Sequence, residues 1–289
     1  MKGKTRFAPS PTGYLHEGHL LSALYVWAAA RKWDLSIHLR IEDHDQERAR
    51  PEHIAAIRED LQWLGFSWQS ESIQSDHFDR FEKKLKELQE RGLVYPCYCS
   101  RKELDAENPK NEYGEVIYQG KCFSEKNDSS LPHSLRIRIP DKVICWKDLR
   151  LGNFEENPKL QCGDFPIRDR VGQWTYQFAV CVDDIDENIT HIVRGEDIRN
   201  STARQIALME ALGRTERPVY LHHPLIVDEN NKKLSKRELA HSLRQDKEAG
   251  ITPEMLLGRV CHKAHLTESD APISLQEAIA LVAHTLPSP

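Results

Sequence analysis

Apolar residues near the start of this chain recur with the period of a helix. Leu20, Leu24, Trp27 and Ala28 share one face, and the basic residues of "RKWD" suit that helix's C-terminal end. The next stretch, "LSIHLRIED", sets Leu35, Ile37, Leu39 and Ile41 between polar residues, the period of a strand. Pro51 then opens a segment in which Ile54, Ile57, Leu61 and Leu64 fall on one side, predicting a helix that ends near Gly65. A further helix, over about residues 76 to 91, carries Lys and Glu three and four apart and stops at Gly92. Helix alternating with strand predicts an α/β domain with a parallel sheet.

The rhythm breaks at residue 97. From 97 to 170 the chain holds clustered cysteines, scattered prolines and glycines, and short β-like runs such as "SLRIRIP" and "KVICWKDL". That pattern reads as a subdomain inserted into the α/β domain. From about Trp174, "TYQFAVCVDDIDENITHIVRG" returns to strand, helix and strand patterning. "IRNSTARQIALMEALG" follows as a helix capped by Ser201 or Asn200. The C-terminal stretch is helical: Thr252 precedes Pro253 and Glu254, and Ser274 with Glu277 makes a capping box before "AIALVAHTL". The expected organisation is 1–96 and 171–215 as halves of one domain, 97–170 as the insert, and 216–289 as a basic loop with a helical subdomain.

Composition sharpens this picture in three places. At 289 residues, 39% hydrophobic and 29% charged, the chain can fill a sizeable core. No run approaches the roughly 18 consecutive apolar residues of a membrane span, and Met1 to Arg6 lacks the layout of a signal peptide, so a cytoplasmic protein without a membrane partner is expected. The net charge of −5 excludes nucleic-acid binding by global attraction and leaves it to local basic runs such as Lys232 to Arg237 and Arg199 to Arg204. No long exposed apolar face stands out, and a monomer is expected.

Candidate chemistry lies at two loops and one cysteine cluster. In "RFAPSPTGYLHEGHL", His16, Gly18 and His19 stand where a proline-rich loop becomes a helix. A helix start offers unpaired N–H groups and the positive end of the helix dipole, so this is a place for phosphate. Gly18 leaves room for a base, and the imidazoles add donors. "KLSKR", Lys233 to Arg237, is a second basic loop after the turn "DENNKK". Seven cysteines without secretory context argue against a disulfide framework. Cys97, Cys99 and Cys122 are three thiol donors of the four that zinc takes. On donor chemistry alone His133, Cys145 or Cys162 is a better fourth ligand than a phenol.

Together the two loops resemble the ATP-binding signatures of class I aminoacyl-tRNA synthetases. "RFAPSPTGYLHEGHL", "LRIEDHDQERARPE", "VYPCYCSRKEL", "YQFAVCVDDIDENITHIVRGEDIRNSTARQIAL" and "KKLSK" resemble the glutamyl subgroup of that family. The resemblance implies a Rossmann-like nucleotide-binding domain, a zinc-containing insert, and substrates glutamate, ATP with magnesium, and tRNA. It implies that Arg6 and Arg194 bind glutamate, that Glu42 holds its ammonium group, that Ser10 and Tyr176 supply hydroxyls, and that Phe7, Ala8 and Pro9 belong to the same pocket. His16, His19 and Lys236 take the catalytic work, with Gly18, Lys233 and Ser235 at the nucleotide. Tyr118 becomes the fourth zinc ligand beside Cys97, Cys99 and Cys122. Two residues depart from the usual pattern: Glu17 where an apolar residue is common, and Leu234 where methionine is. Only residues 238–289 follow Arg237, a shortness similar to the glutamyl-Q tRNA(Asp) synthetases, which attach glutamate to queuosine in the anticodon of tRNA(Asp). The alternatives are a truncated glutamyl-tRNA synthetase charging the 3′ end of tRNA(Glu) and a catalytically idle RNA-binding paralogue.

Overall fold

The computed structural model describes residues 3–124, 130–226 and 241–288. In chain order the elements are β1 (Lys4–Phe7), α1 (Glu17–Trp33), β2 (Ser36–Ile41), α2 (Pro51–Trp63), β3 (Ser70–Ile73), α3 (Phe78–Glu90), β4 (Val94–Cys97), α4 (Arg101–Glu107) and α5 (Lys121–Ser124). They continue with β5 (Ser134–Ile137), β6 (Ile144–Asp148), β7 (Gly152–Glu156), α6 (Pro158–Gln161), β8 (Pro166–Arg168), α7 (Tyr176–Asp186), β9 (His191–Gly195), α8 (Thr202–Ala211) and β10 (Val219–His223). The last three are α9 (Leu243–Glu248), α10 (Pro253–Lys263) and α11 (Leu275–Thr285).

β1, β2 and β3 form a parallel sheet in that order, with Thr5 opposite Ile37 and Leu39 opposite Glu71. A second sheet runs β7, β6, β10, β9, parallel between β9 and β10 and between β10 and β6, and closed by the antiparallel β6–β7 hairpin. The two sheets meet where Thr190, just before β9, donates its N–H to the Lys4 carbonyl at 2.9 Å. The expected α/β architecture with parallel strands is therefore present. β6, within residues 97–170, pairs with β10, so the insert contributes a hairpin to the second sheet as well as a separate antiparallel sheet of β4, β5 and β8.

Three local expectations differ from the structure. α1 is buried nearly all round, from Leu20 to Ala30, because it is packed by β1, β2 and β9 and also by α10 and α11. A helix covered on both sides has no polar face to keep. Tyr176 opens α7 directly and no strand precedes it there; Phe178 to Asp184 are all buried, and in such a run alternation cannot be told from helix. Ser201 stands at the N-cap of α8 without capping it, since a short 3₁₀ turn (Glu196–Ser201) leads in and its hydroxyl instead accepts from Gln177 Nε2 at 2.9 Å. The Thr252 and Ser274 caps form as the sequence suggests. Among the described residues no helix is long and apolar enough to cross a membrane.

Candidate functional site

The strands β1, β2 and β9 all end at one crevice, where the two sheets meet, and there open α/β sheets take their ligands. Glu42, just past β2, donates its backbone N–H to the Pro9 carbonyl at 3.0 Å, so the ends of β1 and β2 are fastened together. A cavity of about 140 Å³ opens between them, lined among others by Arg6, Phe7, Ala8, Pro9, His19, Glu42, Tyr176 and Arg194. Seven residues that the sequence assigned to one amino-acid pocket thus share a wall with one of its proposed phosphate ligands. Ser10 lies two residues beyond Ala8, half-buried and outside this lining.

Charge in this cavity is unevenly paired. Arg6 donates to Asp184 Oδ1 at 3.1 Å. Arg40, fully buried beneath the cavity, donates to Glu42 Oε1 at 3.0 Å and to Asp184 and Glu187 at 2.8 Å each. Glu42 is therefore a carboxylate held in place from below; both Arg40 bonds fall on its Oε1. Arg194, also buried, gives its donors to neutral acceptors: Gln205 Oε1 at 2.6 Å, Thr202 Oγ1 at 2.8 Å and His222 Nε2 at 3.0 Å. Among the described residues no carboxylate forms a salt bridge with Arg194. A buried guanidinium without a counter-ion is costly until an anion arrives. Burial also raises the Tyr176 phenol above its usual pKa, keeping it a hydroxyl donor.

The start of α1 is capped by histidines. His16 Nδ1 accepts from the Gly18 N–H at 3.1 Å, and His19 Nδ1 accepts from the His16 N–H at 3.2 Å, a capping box built from two imidazoles. With both Nδ1 atoms occupied as acceptors, each ring carries its proton on Nε2. Burial, with His16 alongside, pulls the His19 pKa down to about 3, so that ring is a neutral donor at pH 7. The rings lie 3.9 Å apart, with His19 facing the small cavity and His16 a wider cleft of about 440 Å³ that Gly13, Tyr14, Ser242, Arg244, Gln245 and Glu248 also line.

The histidine motif is joined by the segment that begins at residue 241. Lys233, Ser235 and Lys236, with the whole of KLSKR, lie outside the described residues. Where the description resumes, Ser242 pairs with His16 in an antiparallel bridge and the Leu243 N–H donates to the Leu15 carbonyl at 2.8 Å. A segment five residues past Arg237 is thus bonded to the histidine motif. Glu17, the acidic departure within that motif, turns away to α10: Arg259 Nε lies 2.7 Å from its Oε1 and Lys263 Nζ 2.6 Å from its Oε2. Its charge is neutralised there, and the clamp ties the C-terminal helices to the start of α1.

All seven cysteines are free thiols, and Cys97, Cys99 and Cys122 place their sulfurs within 4.8 Å of one another. The Tyr118 oxygen joins them, 3.5 Å from Cys97 Sγ and 3.9 Å from Cys99 Sγ. Tetrahedral zinc with Zn–S of about 2.3 Å sets its ligand atoms about 3.8 Å apart, so the four donors suit such an ion with little movement. Tyr118 is seated by Gly163, whose φ of +64° lets its backbone pass so close that a Cβ would stand 2.0 Å from the Tyr118 carbonyl oxygen. The other fourth-donor candidates do not join the cluster: the Cys162 thiol donates to the Pro158 carbonyl, Cys145 is exposed on β6, and His133 stands outside the group of gathered ligand atoms. Although burial opposes it, Tyr118 and Arg136 draw the Cys97 thiol down to about 7, whereas burial and Cys122 push Cys99 up to about 12.

Sequence reasoning missed Arg40, Asp183, Asp184 and Glu187, the buried ion network that supports Glu42 and Arg6. Its signal was present as four acids, Asp183, Asp184, Asp186 and Glu187, following the apolar run "FAVCV". This fold, with a helix-start histidine motif beside a cation-lined crevice, defines a class I aminoacyl-tRNA synthetase catalytic domain. The chain belongs to the family "tRNA synthetases class I (E and Q), catalytic domain", whose pattern matches residues 2–282. Its relatives include the glutamate–tRNA ligase of Paraburkholderia phymatum, 42% identical over 265 residues that cover 88% of this chain and 56% of that protein. The glutamate–tRNA ligase of Aquifex aeolicus is 38% identical over 270 residues, covering 90% and 57%. The chain thus spans a little over half the length of these curated relatives. A crystal structure of a glutamate tRNA ligase from Elizabethkingia meningosepticum in complex with its amino acid superposes with a TM-score of 0.80 at 27% identity, covering 98% of this chain and 66% of that one.

Proposed function

We propose that this chain activates glutamate with ATP, giving glutamyl-adenylate and pyrophosphate, and then passes the glutamyl group to the queuosine base at the wobble position of tRNA(Asp). The observation that carries the first half is Arg194, a buried cation lining a small cavity with neutral partners alone. Such a site favours a carboxylate, and Arg6, whose Nη1 donates to the Val193 carbonyl at 3.4 Å, adds a second cation to the lining. Glu42, bonded through Oε1 to Arg40, keeps Oε2 for an ammonium group. A dicarboxylate amine answers all three. The similarity to glutamate–tRNA ligases supports the same substrate.

In this reading one oxygen of the α-carboxylate attacks the α-phosphorus, the bond to pyrophosphate breaks, and the leaving charge stays on pyrophosphate. His16 and His19 present their Nε2 protons to the phosphate oxygens on which charge gathers. Preorganised donors of this kind lower the barrier without moving. On the sequence resemblance, Lys236 supplies a further cation to the same phosphates. Magnesium, when bound with ATP, supplies further positive charge. Cys97, Cys99, Cys122 and Tyr118 would hold a zinc ion that braces the insert without taking part in the chemistry, and its charge would offset the burial that raises the Tyr118 phenol.

The acceptor reading rests on the sequence resemblance alone. The second reading, charging of tRNA(Glu) at its 3′ end, is favoured by the names of the curated relatives. Labelled pyrophosphate exchange with glutamate, ATP and magnesium, without tRNA, tests activation. Label transferred to queuosine-containing tRNA(Asp) in an alkali-sensitive bond supports the first acceptor. Label on the terminal adenosine of tRNA(Glu) overturns it, and no exchange at all favours an idle paralogue.

A further inference from the structure

Arg194 is held by a residue that the site's chemistry does not otherwise use. Fully buried on β10, His222 meets the guanidinium through Nε2 and Asp148 Oδ2 through Nδ1, at 3.0 and 2.7 Å. The Thr202 hydroxyl lies 3.3 Å from the same Nε2 while accepting from Arg194 at 2.8 Å, so it too turns its proton towards that nitrogen. Two donors converge on Nε2, and both require a lone pair there. Asp148 secures it: a carboxylate against Nδ1 keeps the ring's proton on that side. Asp148 is itself fixed, since its Oδ2 also accepts the His222 backbone N–H at 2.9 Å and its Oδ1 takes the N–H groups of Arg150 and Leu151 at 2.9 and 2.8 Å. Burial outweighs the carboxylate and brings the His222 pKa down to about 4, so the ring adds no second charge beside Arg194.

We infer that Asp148 and His222 are positioning residues for substrate carboxylate binding: they set His222 as a neutral acceptor that aims Arg194 into the cavity while leaving its charge unspent. A carboxylate in place of His222 would hold the guanidinium as firmly and cancel the charge the substrate needs. The β6–β7 hairpin thereby reaches the amino-acid pocket through Asp148, two hydrogen bonds from Arg194. The inference rests on the glutamate reading above.

The test compares His222→Gln, whose amide oxygen reaches the Nε2 position, with His222→Phe, which has no acceptor, in glutamate-dependent pyrophosphate exchange. His222→Phe should raise KM for glutamate by about tenfold or more with KM for ATP within about twofold, and His222→Gln should return KM for glutamate to within about threefold of wild type. Equal damage by both variants, or a parallel rise in both KM values, overturns the inference in favour of a packing role. Long-range proton–nitrogen NMR of the unmodified protein reads the tautomer without activity and whether or not the variants fold. Nε2 bare and Nδ1 protonated is the expected result, and a proton on Nε2 overturns it. Should the wild type show no glutamate-dependent exchange, the functional reading fails, and the tautomer alone decides whether the contact is built as described.

Discussion

Arg40 and Arg194 are both buried arginines at the ends of parallel strands, and their surroundings are opposite. Arg40 is enclosed by Glu42, Asp183, Asp184 and Glu187, and their charges hold its guanidinium protonated against complete burial. Arg194 is enclosed by an amide, a hydroxyl and a neutral imidazole. An arginine saturated by acids is an internal brace, because nothing is left for a ligand to satisfy. One oriented by uncharged acceptors keeps its charge for an anion from outside. The type of partner, more than the degree of burial, separates scaffold from site.

Breaking each arginine should therefore fail differently. Arg40→Gln strands up to four buried carboxylates, and losing one member of such a network costs about 3–5 kcal/mol. Thermal or denaturant unfolding should show that loss, and exchange activity should vanish with the fold. Arg194→Gln removes a charge that the native protein does not pair. Its unfolding midpoint should stay near wild type or rise, while kcat/KM for glutamate in pyrophosphate exchange falls by about 100-fold. An Arg194 variant that unfolds as badly as the Arg40 variant would erase the distinction.

The distinction was half legible in the sequence. The histidine motif could be read locally, since a helix start with His16, Gly18 and His19 states its own chemistry. Arg6, Glu42 and Arg194 entered through resemblance, because nothing in a strand's periodicity says which buried cation lacks a counter-ion. That fact is tertiary: it depends on Gln205 from α8 and His222 from β10 arriving together. Arg40 was hidden for a related reason. β2 is covered on both faces, so the polar positions of its alternation, His38 and Arg40, point into a second buried layer where α7 supplies Asp183 and Asp184 and the residue just past it, Glu187, joins them. The covering of α1 by α10 and α11 was equally invisible, being contact between segments more than 200 residues apart.

A finer measurement separates the acids within the Arg40 network. Burial raises Asp183 to about 7, against the pull of Arg40 and the Gln74 amide, while Asp184 and Glu187 are held below the usual carboxylate range: burial is outweighed there by Arg6 and Arg40 at Asp184, and by Arg40 and His38 at Glu187. The consequences for stability have opposite signs. Between the ordinary aspartate value and about 7 the native Asp183 holds a proton that the unfolded chain has released, so its contribution to stability falls as pH rises through that window. Asp184 and Glu187 stabilise above the ordinary carboxylate range and lose that contribution only as pH drops through their lowered native values. Asp183→Asn, which can still accept from Gln74 Nε2, should leave the acid limb in place and remove the decline toward neutral pH. The wild-type minus variant difference in unfolding free energy should then slope downward between about pH 4 and 7 by no more than about 1.4 kcal/mol per pH unit, the limit for one proton. A difference that is flat over this range would mean that Asp183 is ionised beside Arg40 like its neighbours, and that the network is fully charged.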